Sequence, residues 1–158
     1  MNVGGWLLWG FVATVALTAL LAGGQGLGLT RMSTPYLLGT MFTPNRDRAK
    51  AIGLIVHFIN GWIFSLVYVA AFHSWGEATW WLGAITGFVH SSFVLTAGLP
   101  LLPALHPRMA NDQQGPAVVR QLEPPGFLAL HYGPRTPLAI IAAHLVFGAI
   151  LGGFYTLH

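Results

Sequence analysis

Four long apolar stretches without a charged residue run through this chain, and all seven Lys and Arg residues fall in two of the segments between them. Arg31, Arg46, Arg48 and Lys50 separate the first stretch from the second, while Arg108, Arg120 and Arg135 separate the third from the fourth. Moving Lys and Arg across a bilayer during insertion is unfavourable, so they are retained in cytoplasmic loops. The pattern predicts a multi-pass protein with basic loops inside and both termini periplasmic. Trp6, Trp9, Trp75, Trp80 and Trp81 all map to the outer interface in this arrangement, where an indole buries its ring and still finds a hydrogen bond.

Composition agrees. Charged residues make up 7% of the 158 positions, against roughly 25% in soluble domains. Crossing a hydrocarbon core of about 30 Å takes about 20 helical residues, so four spans and their loops leave no length for a separate soluble domain. The expected fold is an all-α integral membrane four-helix bundle forming one domain over residues 1–158, with spans at about 4–22, 51–72, 79–99 and 137–155. Met1-Asn2-Val3 lacks the basic start of a signal peptide, so the first span is expected to be retained. Ala19 and Gly23 offer it a small-residue contact. Ser33-Thr34-Pro35 reads as a helix start and the apolar Tyr36–Phe42 after it is too short to cross, which predicts a short interfacial helix. Pro100 and Pro103 should end the third span. The connection from there to Thr136 holds seven of the ten prolines together with Phe127, Leu128, Leu130 and Tyr132, and is expected to be an ordered cytoplasmic loop.

Three histidines fall inside the spans. Counted at about 1.5 Å per residue, His57 and His144 lie roughly 10 Å and His90 roughly 14 Å from the basic end, in one layer. Helical spacing puts His57, Asn60, Gly61, Phe64 and Tyr68 on one stripe, His144, Gly148 and Gly152 on another, and Gly83, Gly87, His90 and Ser91 on a third. Small residues mark helix contacts in membranes, so each imidazole should point into the bundle. With no cysteine in the chain, His57, His90 and His144, with Asn60 nearby, are the candidates to hold a metal, a haem or a chlorophyll-type pigment. The simpler reading is a polar layer that fastens the helices by hydrogen bonds, and proton transfer by histidine is a third.

A second constellation gathers Arg31, Arg46, Arg48, Lys50, His106, Arg108, His131 and Arg135 at the inner surface. Of these, Arg46, Arg48, Lys50, Arg108 and Arg135 are candidates for an anion or a lipid headgroup, and the plain alternative is a solvated positive-inside loop. The basic residues are few and sit beside spans, which argues against nucleic acid. No carboxylate lies inside a span, so carboxylate-coupled transport loses support, and the familiar soluble catalytic motifs are absent.

Taken in order, Leu38-Gly39-Thr40-Met41-Phe42, His57-Phe58-Ile59-Asn60-Gly61, Leu105-His106-Pro107-Arg108-Met109, Tyr132-Gly133-Pro134-Arg135-Thr136-Pro137 and His144-Leu145-Val146-Phe147-Gly148 resemble a family of small, uncharacterised four-span bacterial inner-membrane proteins. The resemblance implies a bacterial cytoplasmic membrane and carries no activity with it. The glycine-rich, acid-poor spans favour a non-enzymatic accessory or scaffold subunit of a larger respiratory or photosynthetic complex, with the bilayer and a membrane protein or a second copy as partners. A histidine-ligated metal, haem or pigment protein and a small oligomeric transporter or channel are the alternatives. In intact cells, an impermeant label placed by single-cysteine substitution at Arg46 or Arg120 should react only after the membrane is opened; labelling from outside would overturn the four-span topology.

Overall fold

The computed structural model describes residues 1–158 and is all-helical, with one isolated parallel bridge, Met109 to Leu122, in place of any sheet. Helix α1 is Val3–Gly26, α2 Thr34–Gly39, α3 Arg46–Trp75, α4 Trp80–Phe93, α5 Leu99–Leu105 and α6 Thr136–Phe154. A π-turn, Val94–Gly98, joins α4 to α5 without a break. Four helical segments are long and apolar enough to cross a membrane: α1, α3, the α4–α5 unit and α6.

Local signals explain the ends. The Asn2 side chain accepts from the Gly5 N–H at 2.8 Å and opens α1, and Asn45 accepts from the Arg48 N–H at 3.0 Å and opens α3. That cap pulls Arg46 to Lys50 into the helix, so α3 starts before its apolar run and outreaches the expected 51–72. It stops at Gly76, whose φ of 71° is left-handed and suits glycine.

The third span does not end at Pro100. Proline lacks an N–H and clashes with the carbonyl four residues back. The π-turn resets the hydrogen-bond register there, so Pro100 falls in the first turn of a fresh segment, where no N–H is needed, and the helix runs on to Leu105. Nor do Ala19 and Gly23 form a contact. Ala19 is exposed and a Cβ on Gly23 would meet nothing, because α1 buries Gly10, Ala13, Thr14 and Leu17 instead.

Helices α1 and α6 pack together as a spine, with α3 against α1 and α4 against α6. Glycines set the approach. A Cβ built on Gly83 would overlap the Gly148 carbonyl, one on Gly87 the His144 carbonyl and one on Gly152 the Thr79 carbonyl, so α4 and α6 touch backbone to backbone. Lipid offers no hydrophobic drive for helix association, and such close packing supplies it. Gly61 admits Thr14 of α1 in the same way, and Gly39 and Gly53 let α2 lie across the start of α3. Trp6 turns inward from its expected interface: its indole N–H reaches Ser65 Oγ at 2.8 Å, while the Trp62 N–H reaches the Leu7 carbonyl at 2.9 Å, a reciprocal tie between α1 and α3.

The consecutive helices α3 and α4 barely approach each other. The seam between them is filled at the charge-poor end by Tyr68, Phe72, Phe147 and Tyr155, all buried. There the hydroxyl of Tyr155 also accepts the Asn2 backbone N–H at 3.1 Å and lies 3.1 Å from His73 Nε2, so His73 helps tie the termini to α3.

Replacing Gly83 with Val should cost about 3 kcal/mol or more, because the added carbons meet backbone that cannot yield. Gly23→Ala, in open space, should instead gain about 0.5 kcal/mol. Paired melts in detergent check both, and equal melting of Gly83→Val and the parent would refute the backbone contact.

Candidate functional site

At the basic half of the α3–α4 seam the filling stops, leaving a cavity of about 260 Å³ whose walls are almost entirely apolar. His57, Asn60, His90 and His144 all line it, so the three spans deliver the candidate residues to one space. The packing explains the convergence. Gly87 lets α4 rest on the His144 carbonyl, and His90 follows one turn later on the same face, which brings the two imidazoles edge to face at 4.7 Å between centroids. On α3, His57 follows Gly53 by one turn, under the α2 residues Thr34, Leu37 and Leu38 that roof the cavity. The π-turn supplies Val94 and Gly98, and Phe93, 54% exposed, also lines the space. π-Turns recur at functional sites because they displace side chains from the regular helical face.

Hydrogen bonds fix part of the chemistry. His144 Nδ1–H donates to the Ile140 carbonyl at 2.8 Å, which leaves its Nε2 with a free lone pair. His90 Nδ1 pairs with the Tyr68 hydroxyl at 3.0 Å, and its ring leans on Phe64 at 4.4 Å. His57 is 8% exposed and its Nε2 has no partner at all. A polar atom buried without a partner costs about 1–3 kcal/mol. As a fastener the layer is incomplete: only His90 is bonded to another long apolar helix, and His57 is left unsatisfied. No three His, Asp or Glu side chains are arranged to share a metal ion. With centroids 4.7 Å apart, His90 and His144 are also too close to bind an iron from opposite sides, since each ring would need about 2 Å to the metal. What the arrangement offers is a set of hydrogen-bonding nitrogens, one of them a free lone pair, around an apolar space.

The basic residues divide. Arg31, Arg46 and Lys50 line one cleft of about 400 Å³ at the basic end, together with Glu123 and Tyr132. Arg46 and Lys50, four residues apart, share a face of α3, and the Arg46 guanidinium lies 6.0 Å above the Tyr36 ring. Arg48 and Arg135 are exposed and line no cleft with them, and Arg108 faces away, towards Thr40. Comparison with known proteins finds no match. Neither a family model, nor a curated sequence, nor a solved structure is similar to this chain. The site has to be read from its own geometry.

The connection between spans three and four is bolted to the first loop. The Thr136 hydroxyl donates to Thr30 Oγ1 at 2.7 Å, Arg31 pairs with Glu123 at 3.3 Å, and its guanidinium also bonds the His131 carbonyl. Burial, reinforced by Glu123, pushes the Tyr132 hydroxyl up to about 12, so it stays protonated and donates to the Glu123 carbonyl at 2.6 Å. A clasp that sequence reasoning did not anticipate holds α2 itself. His106 Nε2–H donates to the Leu37 carbonyl at 3.0 Å, its Nδ1 accepts the Arg108 N–H at 3.1 Å, and the Arg108 guanidinium donates to the Thr40 carbonyl at 2.6 Å. The signal was present in the six-residue α2, whose last carbonyls need donors from elsewhere.

The fold prefers His106 neutral. Burial lowers its pKa below 6.5 and Arg108 adds to that, outweighing the carbonyl bonds that favour the charged form. Between the lowered value and 6.5 the unfolded chain binds more protons, so this stability is complete above pH 6.5 and is lost as pH falls through the folded value. Melting measured from neutral to acidic pH should fall more steeply for the parent than for His106→Gln, whose amide still donates to Leu37. Parallel curves would show that the clasp does not titrate.

Proposed function

We propose that this chain is a non-catalytic binding protein of the bacterial cytoplasmic membrane, holding a lipid-soluble small molecule in the cavity between α3 and α4. The observation that carries the reading is an apolar space between the helices, into which three of them bring imidazoles with unused nitrogens. Binding sites for small molecules combine apolar walls with a few converging polar groups, and this cavity, at about 260 Å³, is near the lower end of their size range. Ligand would enter sideways past Phe93 and Leu102. His57, Asn60 and His144 would read its polar group, and Tyr68 would hold His90 in place for the same purpose. The basic loops would lie in the cytoplasm and both termini in the periplasm.

The accessory-subunit reading rested on glycine-rich contact faces. Those faces are used within the chain, since Gly83, Gly87, Gly148 and Gly152 meet one another's helices and Gly10, Gly39, Gly53 and Gly61 meet α1, α2 or α3. A channel through one chain lacks support for a similar reason: beyond the cavity the seam is closed by buried Tyr68, Phe72, Phe147 and Leu151. A haem or pigment, if bound, would find in His144 one imidazole nitrogen free to hold it.

Protein purified in mild detergent should release a near-stoichiometric apolar compound on solvent extraction, identified by mass spectrometry together with an absorption spectrum. Leu102→Trp, which enlarges a half-buried side chain in the cavity wall, should abolish it while melting as the parent does. A folded parent that releases nothing and takes up no apolar probe would overturn the proposal.

A further inference from the structure

The histidine cavity does not end at the α2 roof. A smaller pocket of about 90 Å³, lined by Gln25, Ser33 and Thr34, shares His57, Thr34 and Met32 with the cavity on one side. On the other side it shares Gln25, Met32 and Ser33 with the basic cleft. The three spaces share walls in that order, from apolar depth to charged surface. Where the walls meet, two buried polar atoms, His57 Nε2 and Thr34 Oγ1, have no partner, and both residues line the small pocket. In the cleft, the chain's one salt bridge engages Arg31 with Glu123, which leaves Arg46 and Lys50 without a carboxylate.

We infer that the ligand is an anionic amphiphile, with a phosphate or carboxylate headgroup held by Arg46, Lys50 and Arg31, a polar linkage passing Thr34 and His57, and its chain in the cavity. This inference rests on the cavity reading and extends it. Guanidinium and ammonium donors at a membrane surface form strong charge-assisted bonds to phosphate. The polar neck, the shared wall where Thr34 and His57 meet, would offer a hydroxyl and an imidazole to an ester or phosphoester oxygen once a ligand parts it. A free anion would use only the cleft, and an uncharged lipid would leave two cations and the neck unused.

The test measures binding to lipid-depleted protein in an uncharged detergent, by native mass spectrometry, with dodecyl phosphate, dodecanol and inorganic phosphate as probes. Dodecyl phosphate should bind at least about tenfold more tightly than dodecanol, the effect of one charge-assisted contact. The double variant Arg46→Gln/Lys50→Gln should remove that advantage and leave dodecanol binding unchanged, and Arg135→Gln, outside the cleft, should leave both unchanged. Equal binding of the two amphiphiles would overturn the headgroup assignment while the cavity reading stands. Binding of neither would defeat the cavity reading and the inference together. Inorganic phosphate binding as tightly as dodecyl phosphate would mean a free-anion site, and an equal loss in Arg135→Gln would mean general surface charge; either result overturns the amphiphile.

Discussion

The backbone contact between α4 and α6 governs much of the rest. Because Gly83 and Gly87 sit on the carbonyls of Gly148 and His144, the two helices lock at one register, and that register decides which residues can meet. His90 lands beside His144, not a turn above or below it. With α4 seated on α6, it barely approaches α3, and the cavity lies between those two helices at the basic half. Its charge-poor half closes only because Tyr68, Phe72 and Phe147 are large enough to bridge the gap.

A second constraint acts at the basic end. The loops there carry most of the chain's polar groups and would be expected to be its most mobile part, yet they are joined by the Thr30–Thr136 bond, the Arg31 contacts and the His106–Arg108 clasp. The clasp acts on α2, a helix too short to be stable alone. Held by its carbonyls from one side and by Gly39 and Gly53 from the other, α2 becomes a fixed roof and places Thr34 beside His57. Arg108 is thus better understood through Thr40 than through an anion.

What could be read in the sequence depended on whether the signal was local. The four long apolar helices followed from charge placement, and the histidine layer from counting along each helix, because depth and face are properties of one helix at a time. The stripes holding Gly83, Gly87, Gly148 and Gly152 were visible for the same reason. Choosing among small residues was harder: Ala19 and Gly23 have the same spacing as true contacts and face outward, since only the partner helix decides which stripe is used. Proline was misleading at Pro100, where a π-turn four residues earlier changed the register. Arg46, Arg48 and Lys50 looked equivalent in sequence, and helix phase separates them, with Arg46 and Lys50 on the cleft and Arg48 off it. The junction at Thr34 and His57 brings together two helices far apart in their roles, and no pattern within either announces it.

A cavity in a membrane protein is not costly in the way it is in a soluble core, because lipid chains can enter and restore the lost contacts. The apolar walls around Phe64, Phe93 and Leu102 therefore need no special ligand to explain them. The polar neck is different. A lipid tail offers nothing to His57 Nε2 or Thr34 Oγ1, and leaving both unmet carries a penalty that replacement by Leu and Val would remove. The pocket beside them has room for a few water molecules, at about 30 Å³ each, yet both atoms are closed off from it in the empty protein. Water in that pocket, between a charged cleft and an apolar chamber, is what an incoming polar linkage would displace. The order of surfaces a ligand would meet, more than the size of the cavity, is what suits an amphiphile.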